Sequence, residues 1–356
     1  MEDKGVKPGL DNKKKALLGA SLFVLIVSAA GLYYFLFAPN ILPAPDKQPQ
    51  AEEATPETIV DDCPGCLARW LDGIEVPAEK AKVFPVAVMI DNDINARPQN
   101  GLARASLVYE APVEGRITRY MAVFPADIDL ASIGPVRSAR PYFVSWAEEL
   151  RALYVHAGGS DEALALIKKS QLTDFNEFYN GSYFHRELGG RPAPHNLLLG
   201  SNDWRAYLEK RGLSESPAES WQYKEENEHA TSSPDIDIRF SPSFRPTWRY
   251  LTGTNEYQRY FNGELSKDGE GIEIKAKNVI IHLLDSKVVD DYGRLHLGVA
   301  GNGKAVICLD GLCQEGAWKK NGSSRTRYYD LKGEEIKFNP GVTWIEAADG
   351  NTSVVY

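Results

Sequence analysis

The sequence predicts an α+β protein: an N-terminal domain of mixed α/β layers, then a mainly antiparallel β C-terminal domain, with one transmembrane helix ahead of both. Three observations carry that expectation. Ala16 to Ala38, "ALLGASLFVLIVSAAGLYYFLFA", is a run of 23 residues without a charge. Strand-like and helix-like segments then mix, without strict alternation, as far as Gly212, which favours α+β over a doubly wound sheet. Beyond Pro234 the pattern is nearly all short strands punctuated by Asn262-Gly263, Asn302-Gly303, Asp310-Gly311, Pro340-Gly341 and Asp349-Gly350, the spacing of a small antiparallel barrel or roll.

In chain order, residues 1–15 read as a cytoplasmic tail and 16–38 as the membrane helix, because ~1.5 Å of rise per residue carries the run across a hydrocarbon core ~30 Å thick. Lys4, Lys7, Lys13, Lys14 and Lys15 precede it and Pro39-Asn40 follow. The positive-inside rule therefore exports everything after it. A cleaved signal peptide is the alternative, but the apolar run is longer than the usual signal core and no small-residue cleavage site follows closely. Residues 39–82 read as a linker that contains "CPGC", and its Pro-, Ala- and acid-rich start has too little apolar surface to fold.

The N-terminal α+β domain is placed at 83–225. "FPVAVMID" reads as a central strand ending in acid, and "SLVYEAPVEGRITRYMAVF" as a hairpin around Glu114-Gly115. "ASIGPVR" reads as a short strand and "PYFVSWAEELR" as a helix with Pro in its first turn. "LYVHAGG" returns as a strand, after which Ser160 caps "DEALALIKK"; Ser201 to Lys210 is a further helix stopped by Gly212. A polar stretch from Ser214 to Pro234 marks the boundary, and 235–356 forms the β domain. Its Trp248, Tyr250, Tyr257, Tyr260 and Tyr328 read as core or sheet-face residues, with glycan stacking as the alternative.

Composition excludes some classes. The 40 Lys and Arg against 49 Asp and Glu give a net charge of −9, which argues against a nucleic-acid partner. No Walker, nucleophile-elbow, H-E-x-x-H or EF-hand pattern is found, and no cofactor or metal is implied. Four cysteines suit an oxidising compartment. Cys308 and Cys313 face each other if Asp310-Gly311 is a two-residue turn, while Cys63 and Cys66 can close a small ring. A redox role for C-x-x-C lacks the surrounding βαβ pattern.

"FPVAVMIDNDINARPQNGLARASLVYEAPVEGRITRYMAVF", "IGPVRSARPY", "YVHAGGSDEAL", "RPAPHNLL" and the later "GAWKKNGSSRTRYYDLKGEEIKFNPGVTWI" resemble the YerB-like lipoprotein family, from about residue 83 to the end. The resemblance implies an extracytoplasmic, membrane-attached α+β protein and supplies no reaction. One departure stands out: those lipoproteins are lipidated on a cysteine, and no cysteine lies near residue 38 here.

Matched to that pattern, the polar residues are Asn92, Arg97, Glu110, Glu114, Arg119, Arg137, Arg140, His156, Arg186, His195 and Asn196. Arg137 to Arg140 and Gly158-Gly159 each precede a predicted helix, whose free N–H groups attract anions. Guanidinium groups match phosphate or carboxylate oxygens two at a time. The competing reading is structural: arginines that neutralise buried carboxylates, and histidines that are simply hydrogen-bonded.

Two functions follow. In the first, a tethered envelope protein binds an anionic wall glycan, a phosphate-containing polymer or an acidic segment of an envelope partner through Asn92, Arg97, Arg119, Arg137, Arg140, Gly158, Gly159, Arg186 and Asn196. In the second, a phosphotransferase or glycan hydrolase uses Glu110 or Glu114 as acid or base and His156 or His195 to move protons.

Overall fold

The structure, a computed structural model, describes residues 63–356 apart from 217, 227 and 228. The expected tail, the membrane span at 16–38 and the spacer as far as residue 62 lie outside the described residues. Among the described residues no helix is long and apolar enough to cross a membrane.

Residues 62–356 form one unit, and one ten-stranded sheet explains why. Its order is Arg327–Asp330, Leu312–Lys320, Gly301–Leu309, Asn278–Leu284, Thr343–Asp349, Leu107–Pro112, Thr118–Pro125, Pro85–Asp91, Leu153–His156 and Thr173–Asn176. The two halves of the chain join where Thr343–Asp349 pairs in parallel with Leu107–Pro112, with Glu346 opposite Glu110. The polar stretch expected to separate two domains is anchored: Trp221 is buried, and Gln222–Tyr223 pairs with Lys337–Phe338.

Among the described residues of the second half no closed barrel forms. Asn278–Leu284 is buried along almost its whole length and Thr343–Asp349 along all of it. Such runs need cover on both faces, which suits the centre of a sheet and not a barrel wall with one wet face. Six other strands make a second sheet, ordered Glu264–Leu265, Glu256–Phe261, Pro246–Leu251, Ile236–Arg239 and Ser353–Val355, with Lys275–Ala276 on its side.

Alternation along Pro85–Asp91 sets the layers. Val86, Val88 and Ile90 join a core with Trp248 and Tyr257 of the second sheet and Trp204 and Tyr207 of helix Ser201–Lys210. Ala87 and Met89 point the other way, into a core with Phe143 and Trp146 of helix Pro141–Glu149 and Ile167 of helix Asp161–Lys169. Every residue of the strand is buried, as its unbroken apolar run requires.

Local signals hold where their chemistry is local. Pro141 opens its helix, and the Ser160 hydroxyl accepts from the Ala163 N–H to cap the next. Leu107–Pro112 and Thr118–Pro125 pair as the expected hairpin. "ASIGPVR" makes only isolated bridges, at Ile133, Gly134 and Val136. Cys308 bonds Cys313 across the Asp310-Gly311 turn, and both turn residues have positive φ. Cys63 bonds Cys66. Residues 63–82, read as linker, fold onto the unit: Cys66–Ala68 pairs with Glu75–Pro77, Trp70 and Leu71 are buried, and the Trp70 indole donates to the Val83 carbonyl.

Candidate functional site

Three neighbouring strands, Pro85–Asp91, Leu153–His156 and Thr173–Asn176, run in parallel and end at Asp91, His156 and Asn176. In sheets of this kind ligands bind outside the carboxyl ends. Beside those ends the segment from Val136 to Arg140 crosses, hydrogen-bonding back to Met89 through Arg137 N–H and to Gly158 through Ala139 N–H. This crossing brings Arg137 and Arg140 to the edge of the sheet, and Arg119 reaches it from the adjacent Thr118–Pro125 strand, where it lies opposite Asp91.

The three guanidinium groups are treated differently. Arg137 lies 2.8 Å from the Asp91 carboxylate. Arg140 donates to both oxygens of Glu114, at 2.6 and 2.8 Å. Arg119 is 5% exposed and meets no carboxylate among the described residues: it donates to the Ser138 carbonyl at 2.7 Å, and its Nε has no partner. Burial pushes the Arg119 pKa down to about 10, and the like charges of Arg140 and Arg137 add to the effect.

In front of Ser138 lies a cleft of about 460 Å³ lined by Glu114, Arg140, Gly159, Ser160, Tyr292 and Arg294, among others. Burial would raise the Glu114 pKa, but its hydrogen bond and charge contact with Arg140 outweigh that and hold it below the usual carboxylate range. Glu114 is therefore an ionised carboxylate seated on Arg140, not a proton donor. Gly158 does not offer its N–H to this cleft, because the Asn176 side chain accepts it. Its role is steric: φ is +64°, and an added Cβ would strike the Phe178 ring at 2.9 Å. Gly159 packs on Ala139 in the same way.

His195 is held at the carboxyl end of strand Pro85–Asp91 by Asp91, an acid the sequence marked only as a strand end. Its Nδ1 lies 2.8 Å from an Asp91 oxygen and its Nε2 4.0 Å from Asp93. Asp91 is 1% exposed, so it orients the ring as a buried carboxylate orients a histidine that moves protons.

Several expected site residues lie elsewhere. His156 is fully buried, with Nδ1 2.7 Å from the Gly158 carbonyl and Nε2 2.8 Å from Asp174. Both ring nitrogens are committed, which corrects its assignment as a proton carrier. Glu110 is also corrected as an acid or base: it is 0% exposed and accepts from Arg259 at 2.7 Å and Thr118 at 2.6 Å. Asn92 belongs to that same interior node, contacting Glu110 and donating to Thr118. Arg97 donates to Asn92 and stacks on Phe261, 3.8 Å from the ring centroid, so it braces the core. Arg186 is exposed on a short strand and donates to Asn196, whose amide donates to the Glu187 carbonyl. That pair stiffens the loop carrying His195.

Sequence reasoning missed Arg259 and Glu346. Glu346 lies opposite Glu110, accepts from the Trp248 indole at 2.9 Å, and is held protonated, first by burial and then by the charge of Glu110. A charged residue inside "VTWIEAA" or "YQRYF" was the available signal.

A mixed-sheet α+β protein with a guanidinium-rich edge and both disulfides formed is the class that fold and site define. Residues 71–214 match the N-terminal domain, and 236–345 the C-terminal domain, of a family described as protein of unknown function DUF3048, and the chain belongs to that family. It is similar to "Putative lipoprotein YerB" of Bacillus subtilis (strain 168), with 28% identity over 305 residues, 83% of this chain and 89% of that protein. The crystal structure of Bacillus subtilis YerB matches with a TM-score of 0.74 at 27% identity, covering 82% of this chain and all of the other.

Proposed function

We propose that this is a membrane-anchored, extracytoplasmic envelope protein that holds an anionic group, a phosphate or carboxylate of a wall polymer or of an acidic partner, in the cleft between Arg140 and Ser160. The observation that carries the reading is Arg119, a guanidinium 5% exposed that makes no ion pair among the described residues, has an unpartnered Nε, and donates to the carbonyl of Ser138, a residue that lines that cleft. A buried cation left so incompletely matched costs stability, and an anion in front of it would supply the missing charge. Glu114 is the internal competitor: its carboxylate holds the two-pronged seat on Arg140 that a ligand oxygen pair would take. The exported location is supported by the lipoprotein relative and by the charge asymmetry around residues 16–38.

The reading is tested with the full-length protein and inorganic phosphate, glycerol phosphate and galacturonate as probes. Arg140→Gln should weaken binding and Glu114→Gln should tighten it. Equal affinity in wild type and both variants would reject the cleft as the seat.

A second reading, an envelope enzyme acting on the same class of polymer, is favoured by one observation: His195 is oriented by the buried Asp91 beside Arg137. There the imidazole would move a proton while Arg137 met developing charge. Turnover of a phosphodiester or glycosidic probe, abolished in His195→Gln with the fold intact, would establish it.

A further inference from the structure

The anion cleft has a neighbour. A second cleft of about 500 Å³ is lined by Val113, Arg116, Arg239, Phe240, Val288 and Leu295, among others. Arg116 and Arg239 are both exposed, and among the described residues neither side chain makes a hydrogen bond or ion pair. The one carboxylate among the residues lining the hollow, Asp349, accepts from Ser286, Asn351 and Thr352 and pairs with neither arginine. Arg116 is aimed by a turn with positive φ at two successive residues, +74° at Gly115 and +59° at Arg116. That conformation is unfavourable for arginine and is held by the surrounding structure.

The two clefts share both of their dividing walls. Glu114 lines the first and Gly115 and Arg116 the second. On the hairpin of Ser286–Val288 with Leu295–Leu297, Tyr292 and Arg294 face the first cleft, Gly293 and Leu295 the second. Residues 292–294 belong to the turn between the two strands, with φ +77° at Gly293, so one turn serves both hollows. Tyr292, 79% exposed, stands at its tip.

We propose that the ligand is a chain with repeated anions on a sugar or polyol backbone, and that it crosses from one cleft to the other over the 114–116 turn. Arg140 would meet one anion, and Arg116 with Arg239 the next. The apolar walls from Val113, Phe240 and Leu295 suit the C–H faces of sugar rings or polyol carbons, and the exposed Tyr292 ring suits stacking at the crossing point. This rests on the anion-binding reading above and adds to it that the ligand is polymeric and needs two subsites.

The test uses the full-length protein and two probe series, glycerol-phosphate oligomers and oligogalacturonates, each as a dimer and a decamer. The two series distinguish phosphate from carboxylate as the anion. In at least one series the decamer should bind on the order of a hundredfold more tightly than the dimer, as linked subsites require. The Arg116→Ala, Arg239→Ala double variant should lose that gain while retaining dimer affinity; both side chains are on the surface, so folding should be unaffected. If the double variant binds decamer as wild type does, or wild type shows no dependence on length, the two-cleft inference is overturned and the single-cleft reading stands. Failure of wild type to bind any probe overturns both.

Discussion

Where the second sheet packs on the middle of the ten-stranded one, Arg259, Glu110 and Glu346 form a node 0–2% exposed; at the carboxyl edge Arg119, Arg137 and Arg140 gather with Asp91 and Glu114, and Arg140 and Glu114 line an open cleft. Both clusters have more than one like charge in close quarters, and they resolve it differently. The interior node removes its excess charge by keeping a proton on Glu346, so one carboxylate faces one guanidinium. The edge cluster keeps Arg119 charged and incompletely partnered. An interior node serves register, because it pins the parallel pair that joins the two halves of the chain. A cluster left unfinished at a cleft mouth is what an anion site requires before its ligand arrives.

The largest expected effect lies at the node. Arg259→Ala strands Glu110 as a buried, unpaired charge, and removing one partner of such a pair costs about 3–5 kcal/mol. Urea unfolding should show the loss, with both halves of the chain unfolding together because one sheet contains them. A loss below about 1 kcal/mol would mean that the node does not hold the sheet together.

Glu346 sharpens the comparison through pH. Its carboxyl pKa is raised well above the ordinary range in the folded protein, first by burial and then by Glu110. A group that holds its proton more tightly when folded contributes stability that is fully present below its unfolded pKa, about 4.3 for Glu. That contribution falls as pH rises toward the folded value. Glu346→Gln keeps the shape without the ionisation. Its melting temperature should therefore gain on wild type as pH is raised from about 5 to 9, and parallel curves would show that Glu346 is not held protonated.

Arg119 should respond in the opposite sense to Arg259. Replacing an under-partnered buried cation by an apolar side chain of similar length is often neutral or stabilising. Arg119→Met is expected to melt at or above wild type while losing anion affinity. A destabilisation as large as that of Arg259→Ala would place Arg119 among the structural pairs and remove the argument for the cleft.

The contrast also explains which parts of the molecule the sequence foretold. Helix Asp161–Lys169 was legible because Ser160, the acids Asp161 and Glu162 and the lysines Lys168 and Lys169 act within one or two turns. Strand Pro85–Asp91 was legible because burial on both faces leaves an unbroken apolar run. The sheet that unites the halves was not, because the pairing of Glu346 with Glu110 spans most of the folded chain and has no local signature. The same limit governed the site. Arg119, Arg137, Arg140, Glu114 and His195 do meet at one edge, but Glu110, Asn92 and Arg97 were drawn into the interior by Arg259, an arginine in an aromatic strand far along the chain. Arg116 passed unnoticed because its significance depends on Arg239 across a cleft.

The smallest stability effect should come from Glu114 and Arg140, and it separates the two clusters most cleanly. Their side chains are 22% and 14% exposed, so water screens the pair, and its two-pronged geometry puts it near the upper end of the range of about 0–1 kcal/mol for solvent-reached pairs. A double-mutant cycle with Glu114→Gln and Arg140→Gln should return a coupling in that range, several times below what Arg259 and Glu110 would give. If Glu114 were there for stability, its removal would cost as much as losing an interior pair and change nothing in binding. If it sits where the ligand sits, Glu114→Gln leaves the melting temperature nearly unchanged and strengthens the capture of phosphate, because the guanidinium it releases loses the carboxylate that occupied both of its prongs.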